Sequence, residues 1–344
     1  MNFYISADDP RFSTEVLSAL IEQAEAIEGV YNKDVKAALE AAVAAAKEAT
    51  AAEVESAQAA LQEAIAAANA SIADYEAILK AVADCKVVMV ETANAYDDLA
   101  EVVELAEILY ADATATADML TELQEAKVAY LAANEVEGLV NGDFSDGVNG
   151  WTGDMATGSH NKWTNVNDGF VEKWTPSNSG ALADLDFYQE ISGLPAGTYT
   201  FMAYVVACNQ AQADDYEVTG VSVYANNNAI EVHTINTDRD ATNQAIGAEL
   251  VMVTASIAEG ETLKVGMKVE ATDANWVVMD NARLFNFNIA STADPSTGIV
   301  NLEKGNTAIT VYSVDGKSIK TTANGVKNLE KGLYIVNGKK MYIK

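Results

Sequence analysis

The sequence predicts an α-then-β protein in three parts: an N-terminal helical bundle, a central antiparallel β-sandwich and a small C-terminal β domain. Three observations predict it. Apolar residues recur at helical spacing up to about residue 137 and with a period of two beyond it. Composition changes at the same place: of 21 glycines only Gly29 precedes Gly138, while all four tryptophans and both histidines follow it. Charge also divides the 344 residues. Residues 1–137 hold 7 basic and 27 acidic side chains, residues 138–288 hold 6 and 20, and residues 289–344 hold 8 and 4, which together give the net charge of −30.

The helical part is justified stripe by stripe. Val54, Leu61, Ile65, Ala68, Ile72, Tyr75 and Leu79 keep to one face of a helix while Glu, Gln and Asn take the other. Thr50-Ala-Ala-Glu53 just before them has capping-box spacing. Shorter stripes run through Val16, Leu20, Ala24 and Ile27, through Val35, Leu39, Val43 and Ala46, and through Met119, Leu123, Ala126 and Tyr130. A further one joins Cys85, Met89, Thr92, Tyr96, Leu99 and Val103. Breaks are expected near Gly29–Asn32, Ala49–Thr50, Ala83–Asp84 and Ala111–Thr114, giving about five helices in one or two up-and-down bundles over residues 1–137. Carboxylates spread over polar faces are the ordinary dress of a solvated helix, so this part reads as a spacer.

The middle part, residues 138–288, alternates. Tyr199, Phe201, Ala203 and Val205 interleave with Thr200, Met202, Tyr204 and Val206, and similar runs follow at Val221–Val223, Leu250–Ser256, Leu263–Val269 and Trp276–Phe285. Glu259-Gly260-Glu261 reads as a tight hairpin between two of them. Many short strands in about 150 residues imply a sandwich or jelly roll. The stretch GLVNGDFSDGVNGW (138–151) is expected to be the first strand, with Trp151 in the core. Residues 289–304, which include ADPSTG, read as a linker. In residues 305–344, Val311–Ser313, Gly332–Val336 and Met341–Ile343 read as strands, the last two joined by an Asn337-Gly338 turn.

These charges and spacings exclude several functions. Two strongly acidic blocks would repel a phosphate backbone, which argues against nucleic acid as a partner. No apolar run is long enough to span a bilayer. The N-terminal MNFYISADDPRF is not built as a signal peptide. Cys85 and Cys208 fall in different parts and read as two buried thiols. His160 and His233 are far apart, no Gly-x-Ser-x-Gly occurs, and the abundance of carboxylates makes any one pair uninformative. No catalytic residue is assigned, and the reading is of a protein that is not an enzyme.

A sugar site needs an aromatic platform with amide or carboxylate partners. HNKWTNVNDGFVEKW (160–174) supplies His160, Trp163, Asn165 and Trp174 as candidates, joined by Asn209 at the end of a strand. Trp163, standing among polar residues, is the leading platform candidate, with a place in the core equally open to it. Trp174, in the FVEKW unit, leans towards a structural strand residue. Trp151 and Trp276 read as core.

Four resemblances sharpen this picture. Residues 13–66, with YNKDVKAALEAAVAAAKEATAAEVESAQAALQEAI, resemble the FIVAR-type helical repeats of bacterial surface proteins, which serve as stalks and are associated with adhesion. NGDFSDGVNGW (141–151), GLPAGTYTF (193–201) and NWVVMDNARLF (275–285) resemble the framing strands of galactose-binding-like jelly rolls, the fold of many non-catalytic carbohydrate-binding modules. FVEKW, DFYQEISGLPAGTY and TGVSVYAN are similar to modules on secreted proteins of the Bacteroidetes. VYSVDGKSIK and GLYIVNGKKMYIK resemble the C-terminal sorting domains of the type IX secretion system. The jelly-roll resemblance implies a structural calcium ion at Asp143 and Asp280, with backbone carbonyls completing the site. The last one implies secretion machinery as a partner, a leader ahead of Met1 in the complete protein, and a secreted or outer-membrane cell-surface location. Together they imply a non-catalytic protein that binds polysaccharide or glycan through a jelly roll carried on a helical spacer. The alternatives are an adhesin or structural surface protein without sugar binding, and a portion of a glycan-active enzyme.

Overall fold

The computed structural model describes residues 10–157, 169–176, 179–212, 216–232 and 248–290, and four strands within residues 311–343. It contains five helices followed by antiparallel sheets: α1 Pro10–Glu25, α2 Lys33–Glu48, α3 Val54–Val88, α4 Tyr96–Ala111 and α5 Ala117–Asn134. By internal contacts two compact units emerge. One, the helical unit, comprises Met1–Met89 and Ala95–Tyr130 and takes in Asn301–Lys344; the other, the β unit, comprises Val90–Asn94 together with Leu131–Val300.

In the helical unit α3 is the common element. At 35 residues it runs about 50 Å. Its first half packs with α1 and α2 around Leu17, Ala24, Leu39, Ala46, Leu61, Ile65 and Ala68. Tyr75, Ile78, Val82, Cys85 and Val88, along its second half, are buried, as are Leu99, Val103 and Ala106 on α4 and Met119 and Leu123 on α5. The Cys85 thiol lies 3.8 Å from the Leu123 carbonyl, and the Tyr130 hydroxyl donates to the Val88 carbonyl at 3.1 Å. Two three-helix arrangements thus share one long helix. Where they meet, Asn32 caps α2 by accepting from the Asp34 amide. Its own amide group donates to the Ala115 carbonyl, and its backbone N–H donates to Ser71 Oγ.

Three helical expectations need correction. The break at Ala83–Asp84 does not occur; α3 continues to Val88, and the interruption falls at Met89–Ala95. Neither Ala83 nor Asp84 is a breaker, whereas Ala95 takes a left-handed φ of 55° just before α4. The stripe drawn from Cys85 to Val103 is therefore split between two helices. Leu79 is 45% exposed because the buried face passes through Ile78 instead, and Val16 is exposed beside buried Leu17. The capping box is half formed: Glu53 accepts from the Thr50 amide at 2.9 Å, but the Thr50 hydroxyl donates to the same carboxylate rather than accepting.

The β unit is a jelly-roll sandwich. Its strands are β1 Ala156–Thr157, β2 Val171–Trp174, β3 Leu185–Ile191, β4 Gly197–Cys208, β5 Val221–Ala225, β6 Asn228–Glu231, β7 Glu249–Ile257, β8 Leu263–Val269 and β9 Trp276–Phe285. They form a five-stranded sheet ordered β1-β2-β9-β4-β7 and a four-stranded sheet ordered β3-β8-β5-β6. Among the described strands from β2 to β9, only β5 and β6 are paired by a direct hairpin, and every other connection changes sheets. That corrects the reading of Glu259-Gly260-Glu261: β7 pairs with β4 and β8 with β3 and β5, so this turn is an arch between sheets. It is closed by Glu261, whose carboxylate accepts from the Ala258 amide. The core between the sheets holds Phe187, Phe201, Val205, Val223, Val253, Val265, Met267 and Met279.

Residues 138–151 are not a strand. Asn141, Phe144, Gly138, Gly147 and Gly150 all have positive φ, which bends the segment into successive turns. These turns are pressed on the sandwich: a Cβ on Gly142 would stand 1.9 Å from the Ala282 carbonyl oxygen. Trp151 nevertheless sits in the core as expected, stacked on Phe187 at 5.2 Å between ring centroids, with its indole N–H donating to the Asn141 carbonyl.

The remaining strands are β10 Val311–Ser313, β11 Ser318–Ile319, β12 Gly332–Val336 and β13 Lys339–Ile343. They make a separate antiparallel sheet ordered β11-β10-β12-β13, with β12 and β13 paired from Gly332↔Ile343 to Val336↔Lys339. Most of the linker at 289–304 lies outside the described residues.

Candidate functional site

One end of the five-stranded sheet gathers an exposed aromatic and a set of amides. Alternation along β2 puts Phe170, Glu172 and Trp174 on one face, the face turned away from the sandwich core. Phe170 is buried there in a small cluster with Val206, Cys208, Trp276 and Val278. Glu172, though acidic, is buried because its carboxylate accepts the Trp276 indole N–H at 2.8 Å. Trp174, the next residue on that face and the register partner of Trp276, is 50% exposed.

The Trp174 ring is held in place. Its indole N–H donates to Gln210 Oε1 at 2.8 Å. Gln210 is fixed in turn by Asn275, whose side-chain carbonyl accepts from the Gln210 amide at 2.7 Å and whose NH₂ donates to the Thr175 carbonyl. Asn275 is almost wholly buried, which fixes its side chain between Gln210 and Thr175. Asn209 donates to the Asp273 carbonyl at 2.8 Å and accepts from the Ala211 amide. The Asp273 carboxylate accepts from the Tyr216 hydroxyl and the Thr219 amide. Burial works against its charged form, yet these donors outweigh it and hold the Asp273 carboxyl below the usual carboxylate range. The same contact pushes the Tyr216 hydroxyl upward.

Of the candidates read from the sequence, the structure brings Trp174 and Asn209 to this end of the sheet, where Asn209 builds the loop that carries Gln210. His160, Trp163 and Asn165 lie outside the described residues. Gln210, which with Asn209 follows a strand end and so could line a loop site on sequence grounds, is brought here too. Asn275 was not singled out by sequence reasoning; it opens the NWVVMDNARLF motif, and adjacency to a strand end was the available signal.

The implied calcium ligands sit elsewhere. Asp143 is exposed and accepts, through Oδ1, from the Ser145 amide and hydroxyl. Asp280 accepts from the Asn281 amide through Oδ1, at a bulge in β9 where Asn281 is left-handed. Carboxylates suit a hard cation, but each is engaged with its own turn. Among the described residues no three His, Cys, Asp or Glu side chains gather as a metal cage. Calcium there would need main-chain carbonyls for most of its six to eight oxygens. Cys85 and Cys208 are both buried and not disulfide-bonded, and burial pushes the Cys85 thiol up, away from reactivity.

The fold and this site define an antiparallel β-sandwich with a braced, half-exposed indole. No family model matches the chain, and no curated protein matches it. Among solved structures it is similar to the carbohydrate-binding module TmCBM61, whose structure holds β-1,4-galactotriose, at 16% identity over 44% of this chain and 99% of that one, TM-score 0.32. It is also similar to the K3 cleaved adhesin domain of Lys-gingipain from Porphyromonas gingivalis w83, at 17% identity over 44% and 100%, TM-score 0.29. A cyclase from Fischerella sp. TAU resembles it at 12% identity over 40% and 83%, TM-score 0.28. Likenesses at these scores carry no weight for function, which rests on the site.

Proposed function

We propose that the β unit binds a glycan without catalysis, using Trp174 as its platform. The observation that carries this reading is the braced indole: half of Trp174 faces outward while Gln210 and Asn275 fix its angle. A pyranose ring presents a flat face of C–H groups that can lie on an indole, and its hydroxyls both donate and accept toward side-chain amides. Because the ring is already ordered, little conformational entropy is lost on binding. Truncating it should therefore weaken binding without unfolding the domain. Affinity electrophoresis of Trp174→Ala against a panel of polysaccharides, with a thermal melt beside it, is the test. The expected result is lost retardation and a melting temperature within a degree or two of wild type. Retardation of neither protein by any polysaccharide would favour the adhesin or scaffold reading.

The proposal extends to the rest of the chain. The helical unit serves as a FIVAR-like stalk, and residues 305–344 as an address read by secretion machinery, with the protein secreted or displayed on the outer membrane. Deleting 305–344 should then abolish surface display while leaving the sandwich folded; unchanged display removes the address. A structural calcium at Asp143 and Asp280 belongs to the same proposal. Chelation would then lower the melting temperature, since a ligand of the folded state at a hundredfold excess over Kd stabilises by about 2.7 kcal/mol. An unchanged melt in excess chelator removes it.

A further inference from the structure

We propose that the ligand at Trp174 is an uncharged glycan, and that the β unit discriminates against uronate-bearing and sulfated polymers. This rests on the reading of Trp174 as a sugar platform. Acidic polysaccharides are recognised by ammonium or guanidinium groups placed to pair with carboxylate or sulfate. Residues 138–288 contain six such groups, of which Lys173, Lys264, Lys268 and Arg283 are described. Each of these four is already paired within the unit. Lys173 meets Asp154 at 2.6 Å, Lys264 meets Asp186 at 2.7 Å, Lys268 meets Glu270 at 2.6 Å, and Arg283 meets Glu135 at 2.6 Å.

Two of these pairs are reinforced. Lys264 lies 3.6 Å over the Tyr188 ring while the Tyr224 hydroxyl donates to the same Asp186. Arg283 grips Glu135 through two nitrogens, at 2.9 and 2.6 Å, and its hydrogen bonds draw the Glu135 carboxyl below the usual range against the opposing effect of burial. An anionic sugar would have to compete with these carboxylates for their cations. The groups around Trp174, by contrast, are amides and anions. Gln210, Asn209 and Asn275 are neutral, and Glu172 and Asp273 are the charged side chains bonded into the same scaffold. Amides match hydroxyls; carboxylates repel a polyanion, and 20 acidic side chains in this block extend that repulsion over its surface.

The test uses one backbone in two charge states: homogalacturonan fully methyl-esterified and the same polymer de-esterified, each immobilised, with neutral galactan and sulfated chondroitin as further arms. Depletion of the full-length protein is measured at low and at high salt. The expected result is binding to neutral polymers that hardly changes with salt. Binding to the charged partner should be at least about tenfold weaker at low salt, the gap narrowing as salt screens the repulsion. Equal or tighter binding to the anionic member, or anionic binding that falls with salt, overturns the inference. So does anionic binding lost in Lys162→Ala or Arg239→Ala, the two cations of this block outside the described residues. Binding to anionic polymers alone, lost in Trp174→Ala, overturns the charge preference and keeps the platform. Binding to no polymer removes both.

Discussion

The three described tryptophans show how one residue type takes different roles by position on a strand. Trp151 and Trp276 are buried with their indole N–H groups bonded to the Asn141 carbonyl and the Glu172 carboxylate, while Trp174, directly opposite Trp276 in the sheet, keeps half its surface outside. Trp151→Ala and Trp276→Ala should each cost about 3–5 kcal/mol in a denaturation experiment, and Trp174→Ala far less. A loss at Trp174 as large as at Trp276 would make it a structural residue. Asp273 offers a second test at this scale. Its carboxyl is held below its unfolded value of about 3.9, so its contribution is complete above that pH and disappears as pH falls through the lower folded value. The melting-temperature difference between wild type and Asp273→Ala should hold steady from neutral pH down to about pH 4 and shrink below it. A constant difference down to pH 2 would show that the carboxylate is not the stabilising group.

At the level of elements, what could be read in the sequence depended on how local the determining forces are. The strands at Leu263–Val269 and Trp276–Phe285 appear with the ends expected from alternation, because a half-buried strand writes its period into its own residues. The arch at Glu259–Glu261 was misread as a hairpin because a turn carries no mark of which sheet its flanking strands join. The turns of 138–151 were misread as a strand although Gly138, Asn141, Gly147 and Gly150 are residue types that favour a left-handed backbone; of the left-handed positions only Phe144 carries no such mark. Trp174 and Gln210 were each legible as candidates, but the brace that joins them was not, since Gln210 and Asn275 are 36 and 101 residues away from Trp174. In α3 the buried face passes from Tyr75 through Ile78 to Val82, where the sequence also permits a stripe through Leu79. The two residues separate the alternatives. Ile78→Ala should destabilise the helical unit by about 2–5 kcal/mol, and Leu79→Ala should cost within about 0.5 kcal/mol. Comparable losses in urea melts would place both side chains in the core.

For the whole molecule, the change from helical to β periodicity at residue 138 is not where the β unit ends. That unit includes Val90–Asn94 and begins its second segment at Leu131. Thr92 donates its hydroxyl to the Phe287 carbonyl at 2.7 Å. Asn134, buried in spite of its amide, accepts from the Asn94 amide at 2.8 Å and donates to the Asn94 carbonyl at 2.9 Å. Asn134 also accepts from the Asn286 amide, Val136 donates to the Leu284 carbonyl, and Glu135 holds Arg283. A fragment of residues 138–288 keeps every sandwich strand and loses all of these partners, including those of Phe287 and Arg283. It should fold into a β structure by circular dichroism, yet melt below the β transition of the full chain. Asn134→Ala in the full chain should lower that same transition, because two Asn94 backbone groups lose their bonds, at about 1–3 kcal/mol for each left unsatisfied. Differential scanning calorimetry of the three proteins decides it. If fragment, variant and wild type share one β melting temperature, the α3–α4 loop is only a connection, and the sandwich is complete from residue 138.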